Sequence, residues 1–271
     1  MLARAELTFP RIDPVAISIG PFQVRWYALA YVVGLIFAFW YMKRLVSNPA
    51  LWNGKPPAAT PAGIDDLFFS ATLGVILGGR LGYVFFYDPA YFATHPLDIV
   101  KLWQGGMSFH GGFLGVIVAC WAFARWKRLR LDQILDLAAA AVPVGLGFGR
   151  LANFINGELF GRVSDVPWAM VFPEGGPLPR HPSQLYEAAL EGLVLFILGR
   201  IATHRYHALA HPGRVAGLFA LSYGLIRILM ELFREPDAHI GYLAGFITRG
   251  MLLSLPMILI GIWLLLRSRH T

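Results

Sequence analysis

Charge is what this chain of 271 residues has least of. Its 23 Lys and Arg and 16 Asp and Glu amount to 14% of the residues, where soluble domains carry about 25%. Apolar residues reach 56%, more than one or two soluble cores can hide. This balance excludes a disordered chain and a nucleic-acid-binding arm, and nucleic acid is not expected as a partner. The net charge of +7 comes from basic residues set between hydrophobic runs rather than gathered on one polar face. A single cysteine, Cys120, excludes an internal disulfide and reads as a small buried hydrophobe. His-Glu-x-x-His, Gly-x-Ser-x-Gly, Walker and Cys/His patterns are absent, as is the Gly-x-Gly-Asp of intramembrane aspartyl proteases. Neither a metal nor an organic cofactor is therefore expected, and any chemistry has to use acids, bases and arginines. The internal repeat of a transporter is missing too.

Long apolar runs are what the chain does have. A hydrocarbon core needs about 20 mostly apolar residues per helix. Seven segments fit: 26–42, 67–87, 109–124, 137–157, 184–203, 215–233 and 250–266. The expected fold is an all-α integral membrane protein, one polytopic domain of seven transmembrane helices. Alternate loops on one side carry 12 Lys and Arg against 8 on the other, so the richer side is expected in the cytoplasm and the amino end outside. Residues 1–14 are too polar for the apolar stretch of a signal peptide, and no cleavage is expected there. Segment 48–63 reads as a cytoplasmic linker. Segment 161–182, rich in Gly and Pro, reads as a periplasmic arm or lid over a site. Gly74, Gly78 and Gly82, the Gly111–Gly112–Gly115 cluster, and Gly145, Gly147 and Gly149 have the spacing of close helix packing. No βαβ context makes the last three a dinucleotide motif.

Three apolar spans hold an arginine: Arg80, Arg150 and Arg227. A mid-membrane arginine costs about 2.5–3.5 kcal/mol even on a lenient scale, so each needs a partner or a task. On a helix Arg150, Asn153 and Gly157 share a face with Asn156 alongside, and Glu158 follows near its end. Arg227, Glu231 and Arg234 fall at i, i+4 and i+7, an ionic stripe. Buried ion pairing fits Arg227 with Glu231. It fits Arg150 less well, because its own segment offers amides before any carboxylate. Several arginines facing one cavity would suit a phosphate headgroup, since guanidinium matches phosphate oxygens bidentately. Ser108-Phe109-His110-Gly111-Gly112 offers a proton-exchanging ring, with glycines that let a backbone or a lipid come close. Tyr27 is by itself no more than an interfacial aromatic.

Six motifs in order carry a resemblance: RWY (25–27), GGRLGYVFFY (78–87), GGMSFHGG (105–112), GRLANFINGELFG (149–161), RHPSQLYEA (180–188) and YGLIRILMELFREPD (223–237). Together they resemble the prolipoprotein diacylglyceryl transferases of the bacterial inner membrane, from about residue 15 to the carboxyl end. The resemblance implies seven spans with the amino end periplasmic and the carboxyl end cytoplasmic. It implies transfer of the sn-1,2-diacylglyceryl group of phosphatidylglycerol to the lipobox cysteine of a prolipoprotein signal peptide, releasing glycerol 1-phosphate without a cofactor. By motif position it implies His110, Arg150, Arg227 and Tyr27 as catalytic residues. Asn153, Glu158, Gly161 and Glu231 join Arg150 and Arg227 in binding substrate. A transporter or channel for an anionic lipid, and a transferase of the phosphoglycerol headgroup, stand as alternatives. The transporter reading does not account for His110, Tyr27 and Asn153 gathering toward the outer leaflet.

Overall fold

The computed structural model describes residues 7–20, 22–235 and 247–269. Arg4 and the Pro236–Asp237 end of the sixth motif lie outside them, as do the side chains of Phe109 and Arg249. Helices dominate: α1 Trp26–Val46, α2 Pro61–Phe86, the short α3 Pro89–Thr94, α4 Phe109–Trp126 and α5 Leu131–Asn156. A continuous stretch follows, made of α6 Ser183–Glu187, a π-helical segment Ala188–Val194 and α7 Leu195–Arg205. The last two helices are α8 Arg214–Met230 and α9 Arg249–Arg267. Among the described residues four helices, α1, α2, α5 and α9, are long and apolar enough to cross a membrane. Four short strands, β1 Leu7–Thr8, β2 Val15–Ile19, β3 Phe22–Arg25 and β4 Met170–Val171, depart from the all-α expectation. β2 and β3 form an antiparallel hairpin through Gly20, whose φ of 57° suits glycine. β1 runs parallel to β4.

Glycine sets the close approaches between helices. A Cβ on Gly74, Gly78, Gly82, Gly111 or Gly115 would meet backbone atoms across the α2–α4 contact. The room beside His110 is thus taken by the α2 backbone. A Cβ on Gly34 would sit 2.8 Å from the Gly145 Cα, and one on Gly192 would sit 2.6 Å from the Gly147 Cα. These two contacts bring α1 and the π-helical segment against α5. Gly149 is different: nothing lies within 4 Å of its added Cβ, so its packing role is not found.

One end of the bundle is a dense apolar core in which Leu45, Trp52, Ile64, Leu137, Leu209 and Val215 are buried. Trp52 shows that segment 48–63 is no loose linker: a 3-10 turn, Pro49–Trp52, drives this indole into the core, where Nε1 donates to Leu45 O at 3.0 Å. At the same end Asp136 of α5 is fully buried and accepts from Gly213 N at 2.7 Å and Ala216 N at 2.8 Å. It thereby caps the N-terminus of α8 from a neighbouring helix. At the other end segment 161–182 lies against α5. Phe172 contacts Phe9, Phe154 and Phe160 at ring distances of 5.1, 6.3 and 5.4 Å.

Candidate functional site

Arg80 is the first of the three arginines to find its task. It is buried, and its guanidinium donates to the carbonyls of Ile99 (2.7 Å), Asp98 (2.6 Å), Gly105 (2.5 Å) and Gly106 (3.0 Å). One side chain thereby gathers backbone oxygens from several turns of the segment between α3 and α4. Arg80 thus stitches down the chain that leads into His110.

Around Arg150 the structure supplies carboxylates that its own segment does not offer. The partners come from the end of α6 and the π-helical segment after it, where Gly192 packs against Gly147, one turn before Arg150. Arg150 Nε and Nη2 both lie 3.0 Å from Glu191 Oε2, and Nη1 lies 3.2 Å from Glu187 Oε2. Arg227 pairs with Glu231 through Nη2, and its Nη1 is 3.5 Å from Glu187 Oε1. Arg234 Nη1 lies 3.9 Å from the same Glu187 oxygen. The ionic stripe is only partly helical, since α8 ends at Met230. The chain then turns so that Arg234 bridges to Gly161, and Arg162 donates to the carbonyls of Arg234 and Glu231 at 2.9 Å each. A cation on the last carbonyls of a helix replaces its missing hydrogen bonds.

Three arginines and three glutamates make this cluster formally neutral, yet its two signs are not equally placed. The Glu187 and Glu191 side chains are wholly buried, whereas Arg150, Arg227 and Arg234 keep 17, 14 and 14% of theirs exposed. The carboxylates are the buried partners and the arginine side chains keep the remaining exposure, so an anion reaching the cluster meets the positive partners first, in a place of reduced dielectric.

Beside it, Glu158 collects the amides. Asn153 Nδ2 donates to its Oε1 at 2.8 Å and Asn156 Nδ2 at 3.2 Å, while Gln184 Nε2 donates to Glu158 O at 2.6 Å. Gly161 is closely packed: a Cβ there would lie 2.5 Å from Phe233 O and 2.7 Å from His181 Cβ. Tyr27 and Tyr31, one turn apart on α1, have their hydroxyls 3.3 Å apart, and Tyr31 lies within the electrostatic reach of Arg150. His181 hydrogen-bonds through Nδ1 with the Tyr186 hydroxyl at 3.1 Å, and burial lowers its pKa and favours the neutral ring.

Of the residues singled out in the sequence, Arg150, Arg227 and Glu231 come together through Glu187, and Asn153 and Glu158 adjoin them. His110 is exposed in the first turn of α4, a helix that packs chiefly along α2. Glu187, Glu191 and Gln184, all fully buried, were not singled out. Two acids four apart in an apolar span were the available signal, because they share a helix face.

Residues 14–267 match the family model described as prolipoprotein diacylglyceryl transferase. The chain is 53% identical over 272 residues to a phosphatidylglycerol–prolipoprotein diacylglyceryl transferase of Brucella anthropi, covering 100% of this chain and 97% of that protein. It is 55% identical over 271 residues to the protein of the same name in Brucella canis, covering 100% and 96%.

Proposed function

This chain belongs to the prolipoprotein diacylglyceryl transferase family, and we propose that it moves the sn-1,2-diacylglyceryl group of phosphatidylglycerol onto the lipobox cysteine thiol of a prolipoprotein. The observation that carries this reading is the cluster of Arg150, Arg227 and Arg234, partly exposed side chains gathered on the buried carboxylate of Glu187. In the reaction the sulfur bonds to the glyceryl C3 carbon as the carbon–oxygen bond to phosphate breaks. The thiol proton passes to a base, and the phosphate leaves as glycerol 1-phosphate.

Charge grows on the leaving oxygen, so donors aimed there favour the transition state over the ground state. Arg150 and Arg227 supply those donors, and Glu231 holds Arg227. Asn153, Glu158 and Gly161 shape the wall against which the headgroup lies, and Tyr27 stands at the rim. A thiol has an ordinary pKa of about 8.5 and is a weak nucleophile until ionised. His110 serves as its base. His110→Gln then slows turnover at neutral pH, and the loss shrinks as pH rises past the thiol pKa, where solvent can remove the proton. A rate deficit that is constant with pH would remove His110 from that role.

The chain is a membrane protein, and the finer reading is of one polytopic domain with seven spans in the bacterial inner membrane. The excess of basic residues on one set of loops supports a periplasmic amino end, a cytoplasmic carboxyl end and a periplasmic segment 161–182. A reporter fused after Arg128 is expected in the cytoplasm and one near Gly175 in the periplasm; the reverse pattern refutes the orientation. The function itself is tested by incubating the purified protein with phosphatidylglycerol and a lipobox peptide. Diacylglyceryl on the peptide sulfur with release of glycerol 1-phosphate is the expected result. Phosphoglycerol transfer, or lipid movement with no covalent product, would overturn it.

A further inference from the structure

Glu187 touches more of the arginine cluster than any site residue singled out in the sequence. Its carboxylate is wholly buried and divides its oxygens between two parts of the chain: Oε2 faces Arg150 of α5, while Oε1 faces Arg227 of α8 and Arg234 just beyond it. We infer that Glu187 is a positioning residue, which sets the separation and tilt of the Arg150 and Arg227 guanidinium groups so that both can grip one phosphate. The inference rests on the phosphate role proposed above for those arginines.

The geometry around Glu187 is built to hold it still. Just before it, Ser183 Oγ donates to Leu159 O at 3.1 Å and Gln184 Nε2 to Glu158 O at 2.6 Å. These bonds fix the first turn of α6 to the end of α5 and the segment that follows. Just after it the helix widens into the π-helical segment, a form seen mostly as local bulges at functional sites. That segment carries Glu191, and Gly192 makes its close contact with Gly147. Arg150 is consequently held from two directions. A guanidinium has five N–H groups. Nε donates a hydrogen bond to Glu191, while Nη2 and Nη1 meet Glu191 and Glu187 as ion pairs. N–H groups on the two terminal nitrogens thus remain to serve a phosphate. Arg227 is held in the same way, by Glu231 on one terminal nitrogen and Glu187 on the other. Glu187 itself exposes nothing, so it acts through the arginines and does not meet the substrate.

The test is steady-state kinetics on purified Glu187→Gln in phosphatidylglycerol-containing vesicles with a lipobox peptide, per folded molecule. Glutamine keeps the shape and removes the charge that holds two guanidinium groups. The expected result is a kcat lower by about tenfold to a hundredfold, the scale of a small misplacement of reacting groups, with KM for phosphatidylglycerol changed far less. The shape of the pH–rate profile stays as in the wild type. Because Glu187 works in part through Arg150, adding Glu187→Gln to Arg150→Lys costs less than the product of the two single losses. A wild-type kcat in Glu187→Gln, full multiplicative loss in the double variant, or disappearance of one limb of the pH profile would each overturn the inference. Glu187→Asp, which keeps the charge but withdraws it by one methylene, covers the case in which the glutamine variant does not fold. It should fold and still turn over slowly. A folded, fully active Glu187→Asp, or failure of both variants to fold, makes Glu187 a structural lock and nothing more. If the wild type makes no diacylglyceryl peptide, the assigned function fails; if the wild type works and Glu187→Gln works equally well, only this inference fails.

Discussion

Helices α5 and α8 meet buried charge at two places, and the two places solve the problem differently. At the N-terminal end of α8, Asp136 gives one oxygen to Gly213 N and the other to Ala216 N, in a dry apolar surround. About 21 Å along α5, from the helical rise over fourteen residues, Arg150 enters a cluster of three arginines and three glutamates. There Gln184 Oε1, Glu187 Oε2 and Glu191 Oε1 are buried without a hydrogen bond, although Glu187 Oε2 keeps its ion pair with Arg150. Leaving a buried polar group unpaired costs about 1–3 kcal/mol, and the structural end has such atoms too, in Tyr41 Oη, His207 Nδ1 and His211 Nδ1. What sets the Arg150 end apart is the gathering of three partly exposed arginines on wholly buried carboxylates.

Replacing Arg150 should separate the two ends most sharply. Lysine keeps the charge but loses the fork. Arg150→Lys is expected to insert and fold yet transfer diacylglyceryl about 10²–10³-fold more slowly, the usual scale for a lost electrostatic donor. A smaller effect is expected from the packing that brings the glutamates to Arg150. In Gly192→Ala the new Cβ would sit 2.6 Å from the Gly147 Cα, so the π-helical segment must move away from α5. A shift of this kind costs up to about 10²-fold, and turnover with folded yield, measured together, checks it. If Gly192→Ala lowers yield but not turnover per folded molecule, the glycine contact belongs with the structural end. The smallest effect on rate is expected from Asp136→Asn. It removes one of two acceptors from the α8 N-terminus and should lower stability by about 1–3 kcal/mol, with turnover per folded molecule unchanged.

How far the sequence could be read follows the same division. Helical geometry placed Asn153 on the Arg150 face with Asn156 alongside and Glu158 near its end, and both amides do reach Glu158. The Arg227–Glu231 pair was equally local. The partners of Arg150 were not legible, because Glu191 is 41 residues away and comes near through tertiary packing such as the Gly147–Gly192 contact. The helix pattern could not show that α8 stops at Met230, since that end is set by Arg162, 69 residues before the Glu231 carbonyl it holds. Segment 48–63 looked irregular because proline and alanine hide the large residues that anchor it, Leu51 and Trp52. Arg80 could be recognised as needing a partner but not as a stitch for a loop, for its acceptors are backbone oxygens that every sequence has.

The most direct measurement sets the two ends side by side: melting temperature and turnover per folded molecule for Arg150→Lys and Asp136→Asn, in one lipid mixture with one lipobox peptide. The account predicts that Arg150→Lys keeps its melting temperature and loses about 10²–10³ in rate, while Asp136→Asn melts earlier and turns over normally. Near-wild-type turnover by Arg150→Lys would contradict it, whatever the other variant does.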